Sequence, residues 1–125
     1  MRRRILAIAV AAGAALLLAG CTASAQRKGL SITGGDPVRG AAAIGKYGCG
    51  SCHQIRGLAG ARGQVGPPLT GIAARAYVAG VLPNTPENIV NWIHDPKAVD
   101  EKTLMPTLGV TTQDASDIAA YLYTH

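Results

Sequence analysis

Three stretches of the chain repeat apolar residues at the spacing of an amphipathic helix. The first follows Asp36-Pro37, an N-cap residue with proline at the first helical position. The second opens at Thr85-Pro86 and continues through "PENIVNWIH", and the third begins at Thr111 in "TTQDASDIAAYLYTH". No segment shows the alternation that is typical of a half-buried strand. The pattern therefore predicts an all-α domain of three to four helices.

The first twenty residues have a different pattern. Basic "MRRR" precedes an apolar run from Ile5 to Leu18, which is shorter than the roughly 20 residues that a bilayer span needs. We interpret residues 1–20 as a secretory signal peptide. The segment ends in "LAGC", which resembles a bacterial lipobox and implies that Cys21 becomes the lipid-modified first residue of the mature protein. Cleavage after "ASA", residues 23–25, is the alternative, and it would remove Cys21.

The remainder divides into a linker and a domain. Residues 21–35 are small and polar without periodicity, and we predict a lipid-anchored flexible tether there. Residues 36–125 form the predicted domain. We expect the protein to be exported and anchored by its lipid to the cell membrane or outer membrane, facing the periplasm or the cell exterior.

The positive net charge of +5 does not belong to the domain. Arginines of the signal peptide, together with Arg27 and Lys28, account for the excess, and the chain from Asp36 onward has seven basic and seven acidic residues. A near-neutral domain has no basic patch to neutralise phosphates, so we expect no binding to nucleic acid.

The motif with the most specific chemistry is "CGSCH", in which Cys49, Cys52 and His53 form C-x-x-C-H. A redox dithiol of the thioredoxin type would follow a strand, but a helix pattern precedes this motif. A structural zinc site would need four ligands, and no second cysteine pair follows. Covalent attachment of one haem c through the two cysteines, with the histidine as an iron ligand, is the interpretation that the motif favours in an exported protein.

A six-coordinate haem iron needs a second axial ligand, and a methionine thioether raises the reduction potential. Met105, in "TLMPTLG", is the one methionine left after the signal peptide. His94 falls in a helix pattern and His125 is the last residue, so we expect both to face solvent. The domain also has no Phe and a single Trp. A covalently held haem would supply the apolar surface that so small a core lacks.

From about Asp36 to its C-terminus, the chain resembles a class I (mitochondrial-type) monohaem cytochrome c. "CGSCH", "GPPLTG" and "LMPTLG" are similar to the haem-binding motif, the loop beside the haem and the methionine loop of that family. The resemblance implies that the Pro67 carbonyl accepts the His53 ring N–H, and that Arg75 pairs with a haem propionate. It also implies that the helices around residues 40–47 and 119–123 cross each other.

The stretch "AGVLPNTPENIVNWIHDPKAVDEKTLMPTLGV" is closer still to the cytochrome c domain fused to subunit II of bacterial haem–copper oxidases. Trp92 in this stretch has two interpretations, a hydrogen bond to a propionate or packing beside the haem. We expect neutral side chains to surround the exposed haem edge as a small apolar contact patch. These side chains are Ile55, Val65, Pro106 and Leu108.

These features predict a membrane-tethered one-electron carrier, not an enzyme, with a His/Met-ligated haem. We expect weak redox partners, namely a terminal oxidase, a quinol-oxidising complex or another donor, and a monomeric state. A haem sensor or a peroxidase-like protein is the alternative, and it would need a labile sixth ligand and a distal acid–base group, for which His94 is the candidate. A non-haem dithiol oxidoreductase is a third hypothesis.

Overall fold

The computed structural model describes residues 23, 24 and 26–125. The predicted signal peptide and Cys21 lie outside these residues. No helix within the described part of the chain is long and apolar enough to span a membrane.

The all-α prediction is confirmed, and the predicted N-caps begin the helices. Asp36 Oδ1 accepts hydrogen bonds from the backbone N–H groups of Val38 (2.7 Å) and Arg39 (3.3 Å), and Thr85 and Thr111 cap two later helices in the same way. The bounds of the helices are α1 Pro37–Lys46, α2 Pro86–His94, α3 Pro96–Val99 and α4 Thr112–Thr124, with 3₁₀ helices at Cys49–Ser51 and Ile72–Ala74.

One short antiparallel pair was not predicted. Strands β1 (Tyr77–Val78) and β2 (Leu82–Pro83) pair with Val78 opposite Leu82. Each strand has only two residues, too few for an alternating pattern to be detected in the sequence.

Helices α1 and α4 cross in close contact at a glycine. A Cβ atom placed on Gly40 would lie 2.0 Å from the Asp117 carbonyl oxygen, so only glycine lets the two backbones approach this far. Ala115 and Ala119 of α4 are fully buried. The crossing of these two segments, which the family resemblance implies, is present in the structure.

A buried carboxylate fixes this crossing. Asp117 is 1% exposed and accepts hydrogen bonds from the Asp36 backbone N–H (2.7 Å) and from Arg39 Nε and Nη2 (2.7 and 2.8 Å). Burial by itself raises the pKa of the Asp117 carboxyl, but the hydrogen bonds from Arg39, Asp36 and Gln113 outweigh it and hold the pKa below its usual value. The carboxylate therefore stays charged and joins the first helix of the domain to the last.

The segment predicted to be an irregular tether is helical over residues 26–33 and contacts the domain. Gln26 Nε2 donates to Asp36 Oδ2 (2.5 Å), and Thr33 Oγ1 donates to the Ser116 carbonyl (3.0 Å). Gly29 is buried, and a Cβ there would meet Pro37 and Ala120. The prediction failed here because the contacts that order this segment come from residues 36, 37, 116 and 120 and not from its own local pattern.

Candidate functional site

Beside the crossing of α1 and α4, the helices enclose a cavity of about 400 Å³. Its wall is mostly apolar and is contributed by all three of the longer helices. The α-helical residues that line it are Ile44, Ile89, Trp92, Ile93, Ile118 and Leu122. Such a lining fits a large apolar group held between the helices.

The C-x-x-C-H motif lies on the wall of this cavity. Gly48, in the left-handed conformation (φ +69°), ends α1 and turns the chain into the 3₁₀ helix Cys49–Ser51. The backbone N–H groups of Cys52 and His53 both donate to the Cys49 carbonyl, at 3.2 and 3.0 Å. This tight turn brings both thiols and the imidazole to the same cavity.

The imidazole of His53 is held in one orientation. Its Nδ1 lies 2.8 Å from the Pro67 carbonyl oxygen. A carbonyl only accepts, so the proton resides on Nδ1, and Nε2 keeps the lone pair that a metal ion requires. A Cβ on Gly66 would lie 2.3 Å from His53 Cε1, so the backbone of this loop packs directly on the ring. The contact that the resemblance implies for Pro67 is present in the structure.

Cys49 and Cys52 are both half-buried. Burial raises the pKa of the Cys49 thiol above its ordinary value. Thiol–disulfide exchange requires a thiolate, which enzymes of that class favour by lowering the cysteine pKa. The environment of Cys49 is therefore the opposite of that expected for a dithiol oxidoreductase.

Met105 reaches the same cavity from a loop far along the sequence. The loop follows α3, and Met105 is half-buried in the cavity wall. Its backbone N–H donates to Thr103 Oγ1 at 3.2 Å. The fold thus brings one thioether together with Cys49, Cys52 and His53.

Arg75 and Trp92 also line the cavity. Arg75 Nη2 donates to the Pro68 carbonyl (2.5 Å) and contacts the Thr70 carbonyl (3.4 Å), so the guanidinium lies against the loop that bears Pro67. The indole of Trp92 makes no hydrogen bond to another residue in the described part of the chain. A packing role and a donor role toward a bound group both remain predictions.

Neither of the other two histidines lies in the cavity wall. His94 is exposed, and its Nδ1 lies 2.6 Å from the Val110 carbonyl oxygen. The ring of His125 stacks on that of Tyr121, with centroids 4.0 Å apart. In the described residues, no three His, Cys, Asp or Glu side chains cluster as a metal site of their own. A structural zinc site, which takes four such ligands, therefore lacks its ligand set in this part of the chain.

Two features of the cavity rim differ from the predicted contact patch. Ile55 is only 6% exposed and belongs to the core, so it cannot contact a partner. Leu104, which the sequence interpretation omitted, is 96% exposed and lines the cavity mouth, as does Val65 at 82%. Leu104 was missed because a loop that contains proline has no periodicity. Without periodicity, the sequence does not show which side chains of the loop point outward.

Asn84 is a further residue that sequence reasoning missed. Its Nδ2 donates to the carbonyls of Ile72 (2.7 Å) and Arg75 (2.9 Å), and its Oδ1 accepts from the Tyr123 hydroxyl (2.7 Å). Asn84 therefore holds the cavity segment that includes Ile72 and Arg75 against α4. No local motif marks it, because its partners are distant in sequence.

A helical domain that brings C-x-x-C-H, a fixed histidine tautomer and one methionine to a single apolar cavity has the design of a haem-binding electron-transfer protein. A family model described as Cytochrome c matches residues 37–125. The chain belongs to the cytochrome c family.

Part of the chain is similar to a longer protein. The chain is 33% identical over 75 residues to a protein named cytochrome c oxidase subunit 2 from Alkalihalophilus pseudofirmus. The match covers 59% of this chain but 21% of that protein, so the chain spans about a fifth of its relative. No solved structure matches the chain.

Proposed function

We propose that this protein is a membrane-tethered one-electron carrier with a single c-type haem ligated by His53 and Met105. Membership of the cytochrome c family indicates electron transfer. The observation that supports this ligand set is that one cavity is lined by both cysteines, by His53 with its Nδ1 bound to a carbonyl, and by Met105.

In this proposal each residue has a separate task. Cys49 and Cys52 would hold the cofactor through thioether bonds, and His53 would bind through Nε2, made more basic by the Pro67 carbonyl. Met105 would be the second iron ligand, and its thioether would favour the reduced state. When bound, the haem would supply a ferrous–ferric couple. The isoleucine-rich wall would exclude water, and Arg75 would pair with a propionate.

We propose that partners meet the cavity mouth. Val65 and Leu104 are 82% and 96% exposed, and Pro106 and Leu108 lie exposed nearby. Such an apolar patch suits a weak redox encounter with a terminal oxidase, a quinol-oxidising complex or another donor. A nearly neutral domain gains little from electrostatic steering toward its partners. Tethering to the membrane would instead raise the effective concentration of the carrier near a partner in the same membrane. We expect the carrier to be monomeric.

The sensor or peroxidase-like alternative has less support. It requires a labile sixth ligand and an acid–base group close to the iron. His94, its candidate, lies outside the cavity wall and is bound to the Val110 carbonyl. It remains the outcome that the following experiment can reveal.

The haem-loaded protein is expected to show a ferric iron–thioether charge-transfer band and to bind no carbon monoxide when ferrous. Both follow from a closed six-coordinate iron. The measurement is the optical spectrum of protein made in cells with haem-attachment machinery, with and without carbon monoxide. A high-spin spectrum or ready binding of carbon monoxide would favour the sensor alternative, and absence of covalent haem would exclude both.

The proposed anchor makes a separate prediction. Cys21→Ser is expected to move most of the exported protein from the membrane fraction to the soluble fraction, because a thioether-linked lipid needs the cysteine sulfur. Thr22→Ser is the matched control and should stay with the membrane. Unchanged membrane association of Cys21→Ser would contradict lipid anchoring. Because residues 26–33 are docked on the domain, the segment free to act as a tether is shorter than residues 21–35.

A further inference from the structure

The loop that carries Met105 has little buried apolar surface to fix its position. Leu104 is 96% exposed and Leu108 is 45% exposed, and Pro106 and Thr107 are exposed as well. Val110, 4% exposed, is buried only at the end of the loop. Hydrophobic burial therefore anchors the far end of this segment, and polar contacts must hold the part around Met105.

Asp100 makes two of those contacts, accepting the backbone N–H groups of Lys102 and Thr103 (both 3.0 Å). Others come from the junction between α2 and α3. On the N-terminal side of Met105, Lys97 Nζ donates to the carbonyls of Glu101 (3.1 Å) and Thr103. The Thr103 hydroxyl in turn accepts the Met105 backbone N–H (3.2 Å). Thr103 thus connects Lys97 to Met105, because its carbonyl accepts from Lys97 and its hydroxyl accepts from the Met105 backbone.

On the C-terminal side, two neighbouring residues of the junction make the contacts. Asp95 Oδ1 accepts the Thr107 hydroxyl (3.0 Å) and also the Ala98 backbone N–H (3.3 Å), which caps α3. His94 Nδ1 donates to the Val110 carbonyl (2.6 Å). Both flanks of Met105 are therefore bound to residues 94–97.

We propose that His94, Asp95 and Lys97 form a junction clamp that positions Met105 and sets how readily its thioether leaves the iron. This inference rests on the proposed function. A sixth ligand carried by a loop is in equilibrium with a detached state, and a contact that holds the loop lowers the population of that state. An external ligand that binds only the detached state has an apparent affinity proportional to that population. The clamp is then a positioning device, since His94, Asp95 and Lys97 do not line the cavity.

The test uses Thr107, because it is exposed and its substitution leaves the core intact. Thr107→Val keeps the side-chain shape but removes the hydroxyl that Asp95 accepts. Imidazole is titrated into the ferric haem-loaded protein and followed by its absorption spectrum. We expect the apparent affinity for imidazole to rise about five- to tenfold, the effect of losing one hydrogen bond to a carboxylate at an exposed site.

Three further variants separate positioning from general destabilisation. Thr107→Ser retains the hydroxyl and should restore an affinity close to that of the original protein. Thr112→Val makes the same chemical change at an exposed position outside the loop and should have no effect. Lys97→Met removes the contacts on the other flank of Met105 and should raise the affinity as Thr107→Val does.

The outcomes also distinguish this inference from the proposed function. An original protein without the iron–thioether band, or one that binds imidazole tightly, would contradict Met105 as the ligand. The proposed function requires the original protein to show the iron–thioether band and to bind imidazole weakly. If it does so and the affinity of Thr107→Val for imidazole is within twofold of that of the original protein, the clamp is wrong. Equal gains in Thr107→Val, Thr107→Ser and Thr112→Val would likewise overturn it, since the hydroxyl would then not be the cause.

Discussion

Met105→Ala is expected to abolish the ferric iron–thioether charge-transfer band and to lower the reduction potential by on the order of 100 mV or more, within the roughly 0.8 V that haem axial ligands span. The physical reason is that thioether sulfur stabilises ferrous iron, and alanine offers no ligand in its place. The ferrous variant should also bind carbon monoxide. Optical spectra and a redox titration of the haem-loaded protein measure these changes.

The neighbouring residue provides a matched control. Leu104 is 96% exposed, so Leu104→Ala removes a similar volume next to Met105 without touching the ligand. It should keep the band and a potential close to that of the original protein. A Met105→Ala protein that retained the band and excluded carbon monoxide would show that another group occupies the sixth position.

Gly40→Ala is expected to destabilise the haem-loaded protein by about 3 kcal/mol or more, or to prevent folding. The added Cβ would lie 2.0 Å from the Asp117 carbonyl oxygen, 2.7 Å from its carbon and 3.0 Å from Tyr121 Cβ. Two of these three atoms are backbone, so no side-chain rotation relieves the overlap, and α1 and α4 must separate. Denaturant unfolding followed by circular dichroism gives the free energy of unfolding.

The same helix contains its own control. A Cβ on Gly45 would have no atom within 4 Å, so Gly45→Ala adds only helix propensity and should stabilise the protein by up to about 1 kcal/mol. The pair of variants separates the crossing from an effect of alanine in α1. If the free energy of unfolding of Gly40→Ala were within about 0.5 kcal/mol of that of the original protein, the close crossing at Gly40 would not be important for stability.

Local chemistry made much of this molecule predictable. An N-cap side chain satisfies N–H groups two or three residues away, so Asp36, Thr85 and Thr111 mark the starts of helices from sequence alone. The C-x-x-C-H spacing likewise defines its chemistry within five residues. Met105 is the only methionine of the domain, and its assignment as an iron ligand by elimination stays a prediction.

The predictions that differ from the structure concern side chains whose surroundings come from elsewhere in the chain. Ile55 lies two residues after His53 and was expected at the surface, but the fold buries it. Residues 26–33 have no helical periodicity, yet they form a helix that contacts Asp36 and Ser116. For residues 26–33 these neighbours include Ser116 and Ala120, which lie far from the segment in sequence.

The sequence by itself determined the helical class, the helix starts, the haem-attachment motif and the single thioether, because each depends on residue type and short spacing. Only the tertiary structure decided which groups meet. It placed Asp117 against Arg39, the Pro67 carbonyl against His53, and residues 94–97 against the loop of Met105. Such contacts depend on how helices cross and loops close. These are set by packing around the cavity and leave no periodic trace along the chain.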